Sequence, residues 1–483
     1  MNKIKATVKQ FKNIGLLSII LLTTLYSCVP TLEVMQENKE VPEQFKNQAT
    51  DTVNTAKVKW NDYFTDVYLS ALIEEALKNN QELNITLQEV EIARNEVRAK
   101  KGEYLPFVDV RGGAEVEKVG RYTSQGASDA NNDIRPGEEF PEPLGNYGIG
   151  LEARWELDIW KKLRNAKKAA YKRYISSVEG KNFLVTNLIA EIANSYYELL
   201  TLDNQLSIVQ ENIKIQSNAL EIVRLQKVAA RVTQLAVTRF EAEVLHTKSL
   251  QFDIQQKITE TENKINFLVG RYPQPIERSS ESFYDLIPDQ LLVGVPAQLL
   301  DNRPDIREAE LELEAAKLDI KVAKARFYPS VGISAGVGFD AFKPSLLLKT
   351  PESIFYSLVG DIAGPLINRN EIKALYFNAS AKQIQAVYNY ERTVLNAYLE
   401  VANQLSNISN LEQSFNLKSK KVDALTQSIN ISNILFKSAR ADYMEVLLTQ
   451  RDALESKFEL VETKKEQMNA MVNMYRALGG GWN

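Results

Sequence analysis

The sequence contains the same unit of roughly 200 residues twice, and this duplication constrains the fold more than any other feature. The tetrapeptide Glu-Ile-Ala-Asn at 191–194 recurs as Glu-Val-Ala-Asn at 400–403, an offset of 209 residues that also matches Gly270 with Gly479. Upstream the offset is 223, so the first copy carries a loop that is longer by 14 residues. Two copies predict a tandem duplication with internal pseudo-symmetry.

The N-terminus has the pattern of a secreted lipoprotein. Basic residues up to Lys12 precede a short apolar run at 15–25, and Leu-Tyr-Ser-Cys follows at 25–28. This pattern predicts a signal peptide over 1–27 and acylation of Cys28, for example by palmitate, which would anchor the chain to lipid. Because Cys28 is the only cysteine, a disulfide within the chain is excluded.

Composition argues against several function classes. The net charge is −4 and no long basic run occurs, so nucleic acid is not expected as a partner. His246 is the only histidine, which disfavours a metal site or a histidine-based catalytic site. The motifs of nucleotide-binding loops, zinc peptidases and serine hydrolases are absent. We therefore expect neither a cofactor nor a catalytic residue.

Two long stretches lack helix-breaking residues. No proline or glycine lies between Gly180 and Gly270 or between Pro365 and Gly479, and both stretches are rich in good helix formers. A single helix over 161–227 would reach about 100 Å and would need partners in a coiled coil. The chain must turn back inside each stretch, and we predict the turns at 229–235 and 439–444. Shorter helices are predicted at 83–101 and 305–326.

Four segments alternate apolar and polar residues with period two, which is typical of strands with one wet face. In the segment 147–157 the polar positions include Glu152, Arg154 and Glu156. The other segments follow Pro106, follow Pro329 and cover 354–362. Each is about 9–11 residues long, the span of a tilted transmembrane strand. A soluble sandwich with one wet face is the alternative interpretation.

A membrane interpretation of these strands requires an oligomer. Membrane barrels have at least about eight strands, and one chain supplies four. Two chains would give a barrel whose interior is nearly filled, whereas three would give one wide enough to hold water. The charged positions fit a wet lumen, so we predict Glu152, Arg154 and Glu156 to line it. The segments 120–143 and 341–353 would form the outward loops.

Several motifs resemble the TolC-type outer-membrane efflux proteins, in particular the lipoprotein branch that serves resistance-nodulation-division pumps. They are Trp-Asn-Asp-Tyr-Phe at 60–64, Trp-Glu-Leu-Asp-Ile-Trp at 155–160, Arg-Pro-Asp-Ile at 303–306 and Gly-Pro-Leu-Ile at 364–367. The resemblance covers residues 60–482. It implies a mainly α fold with a transmembrane β-barrel, in which three chains of four strands form a 12-stranded barrel above a long periplasmic coiled-coil tunnel.

The resemblance also implies function and partners. It implies a non-enzymatic exit duct in a tripartite efflux pump, with a homotrimer, a periplasmic adaptor protein, an inner-membrane transporter and outer-membrane lipid as partners. A periplasmic gate is implied at Glu445, Arg440 and Asp442. The adaptor-docking tips would be Ala229, Ala230, Arg231, Ala439, Arg440 and Ala441. The family commonly has glycine where this chain has Ala230 and Ala439.

We predict five regions: a signal peptide at 1–27, a lipid-anchored extended segment at 28–59, a first repeat at 60–270, a linker at 271–293 and a second repeat at 294–483. Two other functions share much of this pattern. One is the outlet of a type I protein secretion system, and the other is a non-conducting coiled-coil envelope lipoprotein.

Overall fold

The structure is a computed structural model that describes residues 30–45, 54–279, 283, 293–365, 369–438 and 440–482. The predicted signal peptide with Cys28, the tip residue Ala439, the motif residues 366–367 and part of the predicted linker lie outside the described residues. The boundaries of the five predicted regions stay predictions.

Helices dominate the chain, and one four-stranded sheet accompanies them, as predicted. The helices are α1 (Trp60–Tyr63), α2 (Val67–Asn79), α3 (Gln81–Glu103), α4 (Ser124–Asp129), α5 (Lys162–Val228), α6 (Gln234–Val269), α7 (Gln298–Asn302), α8 (Pro304–Ala325), α9 (Asn370–Lys437) and α10 (Tyr443–Ala477). The strands are β1 (Phe107–Glu117), β2 (Asp133–Arg135), β3 (Glu138–Glu139), β4 (Leu144–Leu157), β5 (Ser330–Ala341) and β6 (Ile354–Ala363). None of the described helices combines the length and apolar character needed to cross a membrane.

The chain divides into two compact units. The first comprises the described residues within 1–36, 92–175 and 311–388 and contains the sheet. The second comprises 37–91, 176–310 and 389–483 and contains the ends of two helical hairpins, α5 with α6 and α9 with α10. Its main core lies around Ile192, Tyr196 and Leu199 of α5, all fully buried.

The sheet is antiparallel with the strand order β1-β4-β5-β6, and its two faces differ in polarity. One transverse row joins Val108, Ala153, Ala335 and Leu358, all apolar. The adjacent row joins Asp109, Glu152, Gly336 and Ser357, on the opposite face. Successive strand residues point to opposite faces, so the contrast continues along β4 and β5 and most of β1, whereas Phe355 and Val359 of β6 lie on the polar face.

A repeated glycine joint confirms the internal symmetry. Gly270 follows α6 with φ of 83°, and Gly479 lies just beyond α10 with φ of 92°. A Cβ at Gly270 would lie 2.4 Å from the carbonyl oxygen of Asn79, and one at Gly479 would lie 2.6 Å from that of Asn302. The offset of 209 relates the two glycines, and the offset of 223 relates the two asparagines that they contact. The same glycine–asparagine contact therefore occurs once in each repeat, at a position where only glycine fits.

An extended segment lies along α9. In the first unit, the backbone N–H of Met35 donates to Gln383 Oε1 (3.3 Å), and Gln383 Nε2 donates back to the carbonyl of Met35 (2.8 Å). In the second unit, Lys39 Nζ lies 5.9 Å from the ring centroid of Tyr390. Phe45 is buried and stacks on Tyr398, with ring centroids 5.4 Å apart. These contacts recur about every seventh residue of α9, so they follow one side of the helix.

Two sequence expectations need correction. The hairpin turns are shorter than predicted, because α6 already begins at Gln234 and α10 at Tyr443. Thr233 and Asp442 precede them with extended backbone, as residues favoured at helix starts do. The segment 120–143, expected as a plain loop, contains α4, β2 and β3. Close packing of Gly126 on Gly120 allows the short helix to form, and no periodic pattern signals that contact.

Candidate functional site at the hairpin tips and on the polar sheet face

The tip of the first hairpin is a Schellman turn built without glycine. The N–H of Arg231 donates to the carbonyl of Gln226 (2.9 Å), and the N–H of Ala230 donates to that of Lys227 (2.9 Å). Ala230 has φ of 57°, in the left-handed region. This conformation explains why the family commonly has glycine there, since a Cβ is unfavourable in that region.

The second tip repeats this bonding at the offset of 209. The N–H of Arg440 donates to the carbonyl of Leu435 (2.9 Å), the counterpart of the bond from Arg231 to Gln226. Ala229, Ala230, Arg231 and Arg440 are exposed, and Ala441 is half-buried. The predicted docking residues that are described therefore lie at the two helix turns, although their docking role stays a prediction.

We expect Ala230→Gly to stabilise the first tip. Glycine adopts the left-handed conformation without the penalty of alanine, so the bond from Arg231 to Gln226 should open less often. In hydrogen exchange, the amide of Arg231 should exchange about fivefold more slowly. Ala229→Gly is the matched control, because residue 229 lacks a positive φ. Equal protection in both variants would contradict strain at Ala230.

An apolar cluster joins the two tips within the second unit. We call it the tip cluster; it comprises Leu220, Val223, Ala236, Val237, Phe240, Val244, Val446 and Leu447. Its residues come from α5, α6 and α10, and Phe436 of α9 packs against it. Both hairpins are therefore held together close to their turns by burial of apolar surface.

The predicted gate residues lie beside this cluster. Glu445 is exposed in the first turn of α10, and its N–H donates to the carbonyl of Asp442 (3.1 Å). Asp442 and Arg440 are also exposed. Among the described residues, the carboxylate of Glu445 forms no ion pair. Its charge is therefore available to solutes or to other chains.

The polar face of the sheet carries charges of both signs. Arg154 pairs with Asp109 (2.8 Å) and Arg111 pairs with Glu152 (3.2 Å), both across strands β1 and β4. All four side chains are at least one third exposed. Glu156 pairs instead with Lys162 at the start of α5. The three predicted lumen residues thus share one face of the sheet, and their lumen role stays a prediction.

A buried carboxylate starts α5 directly after the sheet. Asp158 accepts the N–H groups of Leu163 and Arg164 (both 2.9 Å) and the Nε of Arg164 (3.0 Å). Burial alone would raise the pKa of Asp158, but these hydrogen bonds and the positive charge of Arg164 lower it below the usual value. The Trp-Glu-Leu-Asp-Ile-Trp motif thus contains the residue that fixes the strand-to-helix turn.

Sequence reasoning missed the role of Arg303, which is buried in an ionic network. Its guanidinium contacts both carboxylate oxygens of Asp305 (2.7 and 3.0 Å), Glu400 (2.7 Å) and the carbonyl of Ala477 (2.8 Å). Burial lowers the pKa of Arg303, whereas the hydrogen bonds and charges of Asp305 and Glu400 raise it by more. In the sequence, Arg303 is distinguished only as the first residue of the Arg-Pro-Asp-Ile motif.

In the described part of the chain, no group of three or more His, Cys, Asp or Glu residues is arranged so that it could hold a metal ion. The second unit thus carries the exposed tips and the apolar tip cluster, and the first unit carries the charged sheet face.

Comparison with known families decides the identity. The profile of the family described as outer membrane efflux protein matches residues 72–271 and 295–480, one match in each repeat. The chain belongs to this family. It is therefore an outer-membrane efflux protein, which transports solutes and is not an enzyme, as the motifs predicted.

Similar proteins match over nearly their whole length. The probable outer membrane lipoprotein SilC of Salmonella typhimurium is 28% identical over 97% of this chain and 98% of its own. The pyoverdine export outer membrane protein OpmQ of Pseudomonas aeruginosa is 25% identical over 98% and 97%. A crystal structure of CusC superposes with a TM-score of 0.81 at 24% identity, covering 94% of this chain and all of that one. The open state of the MtrE channel of Neisseria gonorrhoeae gives 0.82 at 23% identity, covering 94% and 99%. These similarities confirm the predicted fold.

Proposed function

We propose that the chain is the lipid-anchored exit duct of a tripartite efflux pump and that it works as a homotrimer. The observation that carries this proposal is the four-stranded sheet, whose edge strands β1 and β6 have no partner among the described strands. Unpaired edges are unfavourable in lipid, where backbone groups have no water to bind. Three copies joined edge to edge supply twelve strands and leave no edge.

The different polarity of the two faces determines which face of the sheet would point outward to lipid and which inward. The apolar face with Val108 and Leu358, which are 62% and 77% exposed, would contact lipid. The charged face with Glu152 and Arg154 would line the water-filled passage. Charges on the lipid side would be costly, and none of the strand positions in the apolar row is charged.

Relatives support the remaining parts of the proposal. SilC is named as an outer membrane lipoprotein, in keeping with acylation at Cys28. Other relatives are named for export of pyoverdine, cations and toluene. These cargoes favour small molecules or ions over proteins for this duct. The energy for transport would come from an inner-membrane resistance-nodulation-division transporter, joined to the duct by a periplasmic adaptor that binds the tips.

Single-channel recording in a planar bilayer tests the duct. We expect small, cation-selective steps, because three copies of Glu445 near one axis would attract cations and narrow the entrance. Glu445→Ala should reduce cation selectivity and enlarge the steps. Glu455→Ala, at another exposed position of α10, is the matched control and should change neither. Absence of conductance from every variant, with insertion confirmed, would overturn the proposal in favour of a non-conducting envelope protein.

Charge reversal at both tips, Arg231→Glu with Arg440→Glu, should weaken binding of the adaptor by about tenfold or more, because both arginines are exposed at the turns. Trimer formation should be unchanged, since neither side chain packs in the tip cluster. Crosslinking in the envelope and trimer migration on gels measure the two effects. Lys420→Glu, exposed on α9 away from the turn, is the control. An intact adaptor crosslink in the double variant would contradict docking through these arginines.

A further inference from the structure

The helices of the second unit contain a second apolar cluster next to the tip cluster. We call it the shaft cluster; it comprises Leu202, Val209 and Ile254, with Leu206, Ile213, Leu250, Ile258 and Phe458 packed against it. It draws on α5, α6 and α10, the same helices that build the tip cluster.

Between the two clusters, each of these three helices carries a buried polar residue. Gln216 of α5 lies between the shaft residue Ile213 and the tip residue Leu220. Thr247 of α6 lies between Val244 and Leu250 in the same way. Gln450 of α10 lies between Leu447 and Phe458, in an interval that also contains the buried Ala453 and Leu454. All three are buried, with exposures of 0%, 0% and 2%. Each of the three therefore lies between tip and shaft residues along its own helix, and we call them together the polar layer.

The two glutamines of this polar layer are not hydrogen-bonded. Neither the amide oxygen nor the amide nitrogen of Gln216 or Gln450 has a partner among the described residues. The hydroxyl of Thr247, by contrast, donates to the carbonyl of Glu243 (3.1 Å). Buried amides without partners destabilise the packed state, whereas amides in separated helices regain hydrogen bonds to water. The free-energy penalty therefore applies only while the helices are packed together around these two amides.

We propose that Gln216 and Gln450 form a breakable polar layer that lets the tip cluster open as a unit while the shaft cluster stays packed. The layer lies inside a single chain, because both side chains are buried by that chain alone. The opening that it permits is the tip movement of the proposed duct, so this inference rests on the proposed function. An adaptor that binds the separated tips more tightly would then shift the population with less differential affinity.

Hydrogen exchange of the purified trimer tests the layer directly. Gln216→Met with Gln450→Met keeps the unbranched shape and removes the unpaired amide atoms. We expect amides of the tip cluster, such as those of Val223 and Phe240, to exchange about tenfold more slowly, with no change at Leu202 and Val209. Gln210→Met with Gln255→Met is the matched control, because both of these glutamines are exposed, and it should change nothing.

The result distinguishes failure of this inference from failure of the proposed function. Unchanged or faster exchange at the tips in the methionine variant, and in a second variant with leucine at both positions, would overturn the polar layer. Equal slowing along tip and shaft would overturn it too, because the layer would then not divide the bundle. Neither result depends on conduction. Slower exchange at the tips together with fewer channel openings supports the layer, whereas absent conductance from the unchanged protein overturns the duct alone.

Discussion

Replacing Leu358 with arginine is expected to prevent assembly of the trimer in the outer membrane. Leu358 is 77% exposed on the apolar face of β6, in a row with Ala335, Ala153 and Val108. An arginine facing lipid near the middle of a membrane costs about 2–4 kcal/mol in each chain. The amount of heat-modifiable trimer in outer-membrane fractions measures the effect.

The neighbouring residue provides the control for this experiment. Ser357 lies on the polar face of the same strand, opposite Gly336, where an arginine side chain would point into water. Ser357→Arg should therefore assemble almost normally. If both variants assembled equally well, the apolar face would not contact lipid. If only Ser357→Arg failed, the assignment of the two faces would be reversed.

Loss of Arg303 should give the largest decrease in stability of any single ion-pair change. The side chain is only 5% exposed, and it binds Asp305, Glu400 and a backbone carbonyl at once. Arg303→Met would leave the carboxylates without their partner and lower the free energy of unfolding by about 3 kcal/mol, at the low end for buried pairs because Glu400 is partly exposed. Denaturant unfolding of the detergent-purified protein, followed by circular dichroism, measures this change.

Two further substitutions separate the effect of the guanidinium geometry of Arg303 from that of its charge and provide an exposed ion pair as a control. Arg303→Lys keeps the charge but cannot contact both oxygens of Asp305 with a planar fork, so about half of the loss should remain. Lys421→Met breaks an exposed pair with Glu459 and should change stability by less than about 1 kcal/mol. A loss at Arg303→Met no larger than at Lys421→Met would rule out a structural role for the buried network.

Much of the fold could be predicted from local sequence patterns. The lack of proline and glycine over 181–269 and 366–478 predicted the long helices, and period-two alternation predicted β4 and its neighbours. The offsets of 209 and 223 came from the sequence alone, and the structure shows both in one repeated joint, where Gly270 packs on Asn79 and Gly479 packs on Asn302. Such features are readable because each arises from backbone chemistry or from a spacing within a few residues.

Long-range and exceptional features could not be read in this way. Arg303 donates a hydrogen bond to Glu400, which lies nearly one hundred positions away in the sequence. No rule of residue spacing predicts this contact. Ala230 adopts a backbone conformation typical of glycine. Because no glycine marks the turn in the sequence, its position could be predicted only approximately. Gln216 and Gln450 resemble surface residues of an amphipathic helix, yet the chain buries them completely or almost completely. In each case tertiary packing overrides the local preference of the residue.

The extended segment along α9 has a mechanical consequence. Met35, Lys39 and Phe45 contact Gln383, Tyr390 and Tyr398 in the same order along the extended segment and along α9. A pull on the chain from the side of Cys28 along the helix axis would load these contacts together in shear, whereas a pull at right angles would peel them off one by one. Shear distributes force over every contact, so a tether attached this way resists tension far better than its individual weak contacts would.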